Sequence, residues 1–140
     1  MTGSGRNLGR AAVLELARRG ADVVVNARSN RAEAEAVARE AEALGVRAIA
    51  LLADVGDEQQ VNQMVAEALE RLGRIDILIN NAGFRASSPI AEMSTEEWRA
   101  AAAVNFDGPF FCTRAVVPGM ISNGYGRIIT VSGLNAFHGR

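Results

Sequence analysis

Short β-branched apolar runs alternate with amphipathic helical patterns along the whole of this 140-residue chain. The runs predict buried strands at residues 21–27, 47–55, 75–80 and 127–132. The spacing of apolar side chains between them predicts helices at residues 8–19, 30–44, 57–72 and 94–120, the last kinked near Pro109. Strands joined by helices of this size form right-handed crossovers. The pattern therefore predicts an α/β fold, with a doubly wound parallel sheet in one domain, residues 1–140.

Two predicted helices begin with a capping pair. Asp57 is followed by Gln60, and Ser94 is followed by Glu97, each at the three-residue spacing of a capping box.

The first predicted helix follows a glycine-rich turn, residues 2–9, with the sequence TGSGRNLG. Glycines let an anion approach the backbone, and the N–H groups and dipole of the helix favour negative charge there. The turn therefore predicts a phosphate-binding site. A tight turn that only needs positive φ at its glycines explains the motif equally well when the motif is taken alone.

Five strings occur in an order and at separations typical of one family. They are TGSGRNLG at residues 2–9, LLADV at 51–55, NNAG at 80–83, VNFDGPFF at 104–111 and GRIITVSG at 126–133. Together they resemble the short-chain dehydrogenase/reductase family, most closely its 3-oxoacyl-carrier-protein reductases. The resemblance covers essentially the whole chain. It implies a Rossmann-like sheet and an NAD(P)-dependent oxidoreductase that transfers hydride between a carbonyl and an alcohol.

The resemblance also implies the residues that contact the cofactor. Asn7 stands where the family's loop has its middle glycine, and Gly5 is additional. In the family, an aspartate at the position of Asp54 contacts the adenine. The alternative is that Asp54 only caps a turn. For Asn81, the alternative is that it only donates hydrogen bonds to loop carbonyls. The implied cofactor-binding residues are Gly3, Gly5, Arg6, Asn7, Leu8, Gly9, Asn26, Arg28, Ser29, Asp54, Val55, Asn81, Ala82 and Gly83.

The segment NARSN at residues 26–30 bears on the choice between NADPH and NADH. A carboxylate at the end of this strand would accept bonds from the ribose hydroxyls and repel a 2′-phosphate, and the segment has none. Arg28 and Ser29 can instead donate to a phosphate, and Arg6 can close on the same group. These residues predict a preference for NADPH. Two solvated surface arginines are the alternative interpretation.

The resemblance assigns catalytic roles to Asn105, as support for a proton relay, and to Ser132, as a contact to the carbonyl. Gly133 occupies the usual serine position, and strand neighbours point to opposite faces, so Ser132 is expected to face the core unless a bulge turns it. The family's tyrosine–lysine pair follows the serine. Here Tyr125 precedes Ser132, and the sequence contains no lysine. We therefore expect no reductase turnover by these 140 residues, and we expect His138 to be a surface residue.

The glycine turn begins at Thr2, although the first strand of a doubly wound sheet is central. The strands at 21–27 and 75–80 are then expected to flank a gap, with unpaired backbone and an uncovered apolar groove. A fragment that lacks most of the first strand and the C-terminal part is the preferred interpretation. Direct pairing of the two flanking strands, or a second chain in the gap, are the alternatives.

Charge and cysteine content limit which other classes of function the chain can have. A formal net charge of −1 gives no reason to expect nucleic-acid or membrane binding. Cys112 is the single cysteine and no secretory leader is visible, which predicts a cytoplasmic protein without an internal disulfide. We predict no metal site.

The resemblance implies a small carbonyl or acyl thioester substrate, and a dimer or tetramer for the full-length form. Two other functions stay open. One is a nucleotide-binding or interaction module without the chemistry. The other is an S-adenosylmethionine-dependent methyltransferase. Such enzymes carry an acidic residue after the second strand, where residues 26–29 have none, and the string NNAG is not typical of them.

Overall fold

The computed structural model describes residues 1–86 and 88–133 of the chain. Helices and strands alternate in the predicted order. The helices are α1 (Asn7–Arg18), α2 (Arg31–Glu42), α3 (Glu58–Leu72), α4 (Thr95–Ala102) and α5 (Gly108–Ser122), and the strands are β1 (Val23–Ala27), β2 (Ala48–Leu52), β3 (Ile77–Asn80) and β4 (Arg127–Thr130). Each strand is shorter than predicted: β1 and β3 begin two residues later, β4 ends two residues earlier, and β2 is shorter at both ends. The hydrophobic pattern extends into the adjoining turns.

The strands form two parallel pairs. β1 pairs with β2, and β3 pairs with β4. Residues 1–4 lie between the pairs and bond to both. The Ser4 N–H donates to the Asn26 carbonyl at 2.9 Å, and the Thr2 N–H donates to the Ile79 carbonyl at 3.0 Å. The spatial order is therefore β2, β1, residues 1–4, β3 and β4.

Alternate residues of the strands face two separate clusters of apolar side chains. In β1, Val25 packs in the cluster of α1 and α2, whereas its neighbour Val24 packs against the cluster of α3 and α5. Val37 of α2 and Val61 of α3 are among the most deeply buried side chains of the two clusters. Helices thus cover both faces of the strands, as the alternating pattern predicts.

A cavity of about 430 Å³ separates β1 from β3 beyond residues 1–4. Val24 and Ile77 line its two sides, and apolar side chains from α1, α3 and α5 line much of the rest. Four charged residues also line it: Asp22, Arg47, Arg74 and Asp76. The two flanking strands do not pair with each other, so the expected apolar groove is present and direct strand pairing is excluded. Cys112 also lines the groove. Its burial raises the pKa of the thiol from its ordinary value to about 11.

The predicted long helix over residues 94–120 is interrupted. A π-helical stretch, Ala103–Asp107, separates α4 from α5. Pro109 lies in the first turn of α5, two residues after the π-helical stretch, and it has no N–H to donate back to that stretch. The kink predicted near Pro109 stays a prediction. Gly108 allows α5 to begin close to the segment after β2, since a Cβ there would lie 2.9 Å from Val55 Cγ2.

The predicted caps are confirmed. Asp57 accepts a hydrogen bond from the Gln60 N–H, and Ser94 accepts one from the Glu97 N–H, each at 3.1 Å. Within the part of the chain that the structure describes, no helix has the length and apolar character needed to cross a membrane.

Candidate functional site

A cavity of about 580 Å³ opens at the carboxyl ends of β1, β2 and β3. Every residue predicted to contact a cofactor lines this cavity, and further lining residues join them. The additional lining residues are Ala27, Asn30, Glu33, Ala53, Phe84 and Val104. Parallel strands bring their following turns to one edge of the sheet, which is why segments distant in sequence meet here.

Thr2 anchors the glycine turn to the segment after β3. Its side chain is buried, and its Oγ1 accepts hydrogen bonds from the N–H groups of Asn81 and Ala82, each at 3.0 Å. Gly3 follows with a left-handed φ of 59° and lies against Ala82. A Cβ at Gly3 would lie 3.0 Å from the Ala82 Cα, so glycine serves both the conformation and the close approach.

Two carboxamides hold the turn from opposite sides. Asn81 Nδ2 donates to the carbonyls of Thr2 and Gly3 at 3.0 Å each. Asn26 Oδ1 accepts from the Gly3 N–H at 3.0 Å, and its Nδ2 donates to the Ala53 carbonyl at 3.2 Å. Asn26 and Asn81 therefore satisfy the backbone of the turn, which fixes its shape before any ligand arrives.

Asn7 and Gly9 set the backbone where the turn enters α1. Asn7 has a φ of 49°, a left-handed conformation that asparagine tolerates better than most residues, which explains how it replaces a glycine. Gly9 is more restricted. A Cβ there would lie 2.2 Å from the Gly3 carbonyl oxygen and 2.9 Å from the Ser4 Cα.

The N-terminus of α1 is suited to an anion. Arg6 occupies its N-cap position without a side-chain capping bond, and the first turn contains no acid. By contrast, side chains of Asn30, Asp57 and Ser94 cap α2, α3 and α4. The first N–H groups of α1 thus face the cavity with the positive end of the helix dipole and no capping side chain.

The cavity carries both positive and negative side chains. Arg6 and Arg28 are exposed, and neither forms an ion pair with a described residue. Asp54 lines the cavity and also accepts a bond from the Gly56 N–H at 2.9 Å, so it has the turn-capping contact that was the alternative for it. Glu33 adds a carboxylate that residues 26–30 do not contain.

Among the lining residues that were not predicted, Glu33 bears most directly on nucleotide binding because it is the one with a charged side chain. Its N–H donates to Asn30 Oδ1 at 3.2 Å, which places it in the first turn of α2. The three-residue spacing from an asparagine cap was a usable sequence signal. Glu33 follows the strand-end segment at residues 26–30 by three residues, so that segment alone gives no sign of the carboxylate.

Asn105 lies within the π-helical stretch and is bonded to the segment after β3. Its Nδ2 donates to the Phe84 carbonyl at 2.7 Å, and its Oδ1 accepts from the Phe84 N–H at 3.0 Å. Its Oδ1 would lie 3.6 Å from a Cβ at Gly83. Asn105 is thus fixed beside the cavity without lining it, and its role in a proton relay stays a prediction. π-Helical turns are frequent at functional sites.

The other candidates for chemistry lie away from the cavity or outside the described residues. Ser132 is exposed rather than core-facing, follows the end of β4 and does not line the cavity. The Tyr125 ring lies under the Arg127 guanidinium, whose Cζ is 4.8 Å from the ring centroid. His138 lies outside the described residues. Across residues 1–86 and 88–133, no three His, Cys, Asp or Glu side chains gather closely enough to hold a metal ion.

Comparisons with known proteins agree with this arrangement. The model of the short chain dehydrogenase family matches residues 1–140. A 3-oxoacyl-[acyl-carrier-protein] reductase of Synechocystis sp. is 37% identical over 139 residues, which are 99% of this chain and 56% of that protein. The crystal structure of a 3-ketoacyl-ACP reductase from Sinorhizobium meliloti superimposes with a TM-score of 0.92 at 39% identity, covering 96% of this chain and 53% of that one.

A third relative was solved with a nucleotide. It is a metagenomic short-chain oxidoreductase in complex with NADP, with a TM-score of 0.89 and 36% identity over 95% of this chain and 59% of that one. The chain spans about half the length of the curated relatives it matches.

Proposed function

The chain belongs to the short chain dehydrogenase family, and on this premise we propose that its glycine-lined cavity binds NADPH. The observation that carries the proposal is the uncapped N-terminus of α1, which opens into a cavity lined by every predicted cofactor residue. We propose that the whole protein is an NADPH-dependent oxidoreductase that interconverts a carbonyl and an alcohol.

The donors around the cavity match the parts of a dinucleotide. The first N–H groups of α1 suit the diphosphate, and Arg28 with Ser29 suits a 2′-phosphate. Asp54 and Val55 line the wall where the resemblance places the adenine. Asn81 and Gly83 extend the same wall toward Asn105. The nicotinamide, when bound, supplies the hydride; the residues named here bind and orient.

The substrate proposal rests on the relatives. Proteins similar to this chain are 3-oxoacyl-[acyl-carrier-protein] reductases, so we propose a 3-oxoacyl thioester as the substrate of the whole protein. The 140 residues contain no lysine to lower the pKa of a catalytic tyrosine. We therefore expect no NADPH oxidation when the purified chain is given an acetoacetyl thioester. Turnover would contradict this expectation, whereas nucleotide binding with cooperative unfolding and no turnover would favour a binding module.

NADPH is expected to bind this chain about 10-fold or more tightly than NADH. Arg28 and Ser29 add charge-assisted hydrogen bonds to the 2′-phosphate, and each such bond contributes about 1.5–3 kcal/mol. Calorimetric titration of both cofactors at one fixed ionic strength measures the ratio. Equal affinities or a preference for NADH would remove the cofactor assignment, and absence of binding by both would remove the nucleotide site.

A further inference from the structure

Glu33 places a negative charge in the same cavity as Arg28. It lies in the first turn of α2 and is half-buried. Arg28, Ser29, Asn30 and Glu33 all line the cavity, at the end that follows β1. The Glu33 N–H donates to Asn30 Oδ1. The Glu33 carboxylate forms no ion pair with any residue that the structure describes.

The glycine turn lies directly beside this part of α2. A Cβ built on Gly5 would lie 3.7 Å from the Glu33 Cβ and 3.7 Å from the Ala34 N. Gly5 is the glycine that is additional to the family's loop pattern, and a Cβ there would make ordinary van der Waals contact with the start of α2, so the turn and α2 are neighbours. A phosphate held between Arg6 of the turn and Arg28 of the strand end would therefore lie near the Glu33 carboxylate.

We infer that Glu33 is a specificity-determining residue that weakens NADPH binding relative to NADH. The inference rests on the proposed function and goes beyond it. A carboxylate near a 2′-phosphate of about two negative charges opposes binding, and this opposition is partly screened by salt. NADH has no charge at that position. The arginines set the direction of the preference, and Glu33 reduces its size.

The variant E33Q tests the inference. Its affinity for NADPH is expected to rise about 3- to 10-fold, and the gain is expected to shrink as ionic strength rises. Its affinity for NADH is expected to stay within twofold of the unmodified chain. Calorimetric titration of each protein with each cofactor, at low and high salt, gives these values.

The variant E42Q is a matched control on the same helix. Glu42 is exposed at the other end of α2, does not line the cavity and forms no ion pair with a described residue. It lies about 14 Å from Glu33 along the helix axis, farther than the Debye length at physiological salt. At low salt the Debye length is longer, so the comparison with E33Q is made at physiological and high salt. E42Q is expected to bind both cofactors as the unmodified chain does.

The outcomes separate this inference from the proposed function. If the unmodified chain binds NADPH and E33Q binds it no more tightly, the inference is overturned and the proposed function stands. A loss of NADH affinity in E33Q without a gain for NADPH also overturns it, because Glu33 would then be a ligand of the ribose hydroxyls. If the unmodified chain binds neither cofactor, the proposed function falls and this inference falls with it.

Discussion

Replacing Gly9 with alanine is expected to abolish detectable NADPH binding and to lower the free energy of unfolding by about 3 kcal/mol. The new Cβ would lie 2.2 Å from the Gly3 carbonyl oxygen, 2.8 Å from Asn81 Nδ2 and 2.9 Å from the Ser4 Cα. Two of these atoms are backbone, and bonds from Asn26 and Asn81 hold that backbone in place. The turn must therefore move, and the N–H groups that face the cavity move with it.

Gly119 provides the matched control for this change. It lies in α5, and a Cβ there would meet no atom within 4 Å. Gly119→Ala is expected to leave NADPH affinity unchanged and to raise the free energy of unfolding by about 0.5–1 kcal/mol, because alanine is the better helix former. Urea unfolding and calorimetric titration of both variants measure the contrast. Wild-type binding by Gly9→Ala would show that the turn does not shape the nucleotide site.

Replacing Arg28 with alanine is expected to weaken NADPH binding by about 10- to 100-fold while changing NADH affinity little. Arg28 lines the cavity and forms no ion pair with a described residue, so its guanidinium is available to a phosphate. A planar guanidinium can donate two parallel bonds to phosphate oxygens, which an ammonium cannot. Arg28→Lys is therefore expected to restore only part of the affinity.

Arg99→Ala is the control for the loss of one positive charge. Arg99 is exposed on α4 and does not line the cavity. The Arg99→Ala variant is expected to bind NADPH as the unmodified chain does. All titrations use the same buffer, because contacts with phosphate depend on salt. An equal loss for NADPH and NADH in Arg28→Ala would mean that Arg28 supports the cavity generally and does not read the 2′-phosphate.

The residues whose roles depend on backbone geometry were largely predictable from the sequence. The glycine spacing of residues 2–9 indicated a turn at a helix start, and the structure places Gly9 where no Cβ fits and Gly3 in a left-handed conformation against Ala82. The sequence shows Asn7 at the place of a glycine, but its left-handed φ is seen only in the structure. Periodicity also located each strand, although the strand ends were set too far into the turns.

Features that depend on packing between distant segments were not predictable in the same way. The sequence predicts a kink near Pro109 but not the π-helical stretch that carries Asn105, and the Asn105 side chain is fixed by Phe84, which is remote in sequence. Glu33 enters the cavity only because α2 begins beside the glycine turn. Residues 1–4 bond to both flanking strands, which pattern reading alone did not anticipate.

The central claim is that the N–H groups at the start of α1 hold the diphosphate of a pyridine nucleotide, with Arg28 beside its extra phosphate. A crystal structure of the chain grown with NADP⁺ tests it most directly. The account predicts density for the diphosphate over residues 5–9 and for the 2′-phosphate within hydrogen-bond distance of Arg28. Nucleotide density elsewhere on the chain, or a glycine turn covered by protein side chains, would contradict it.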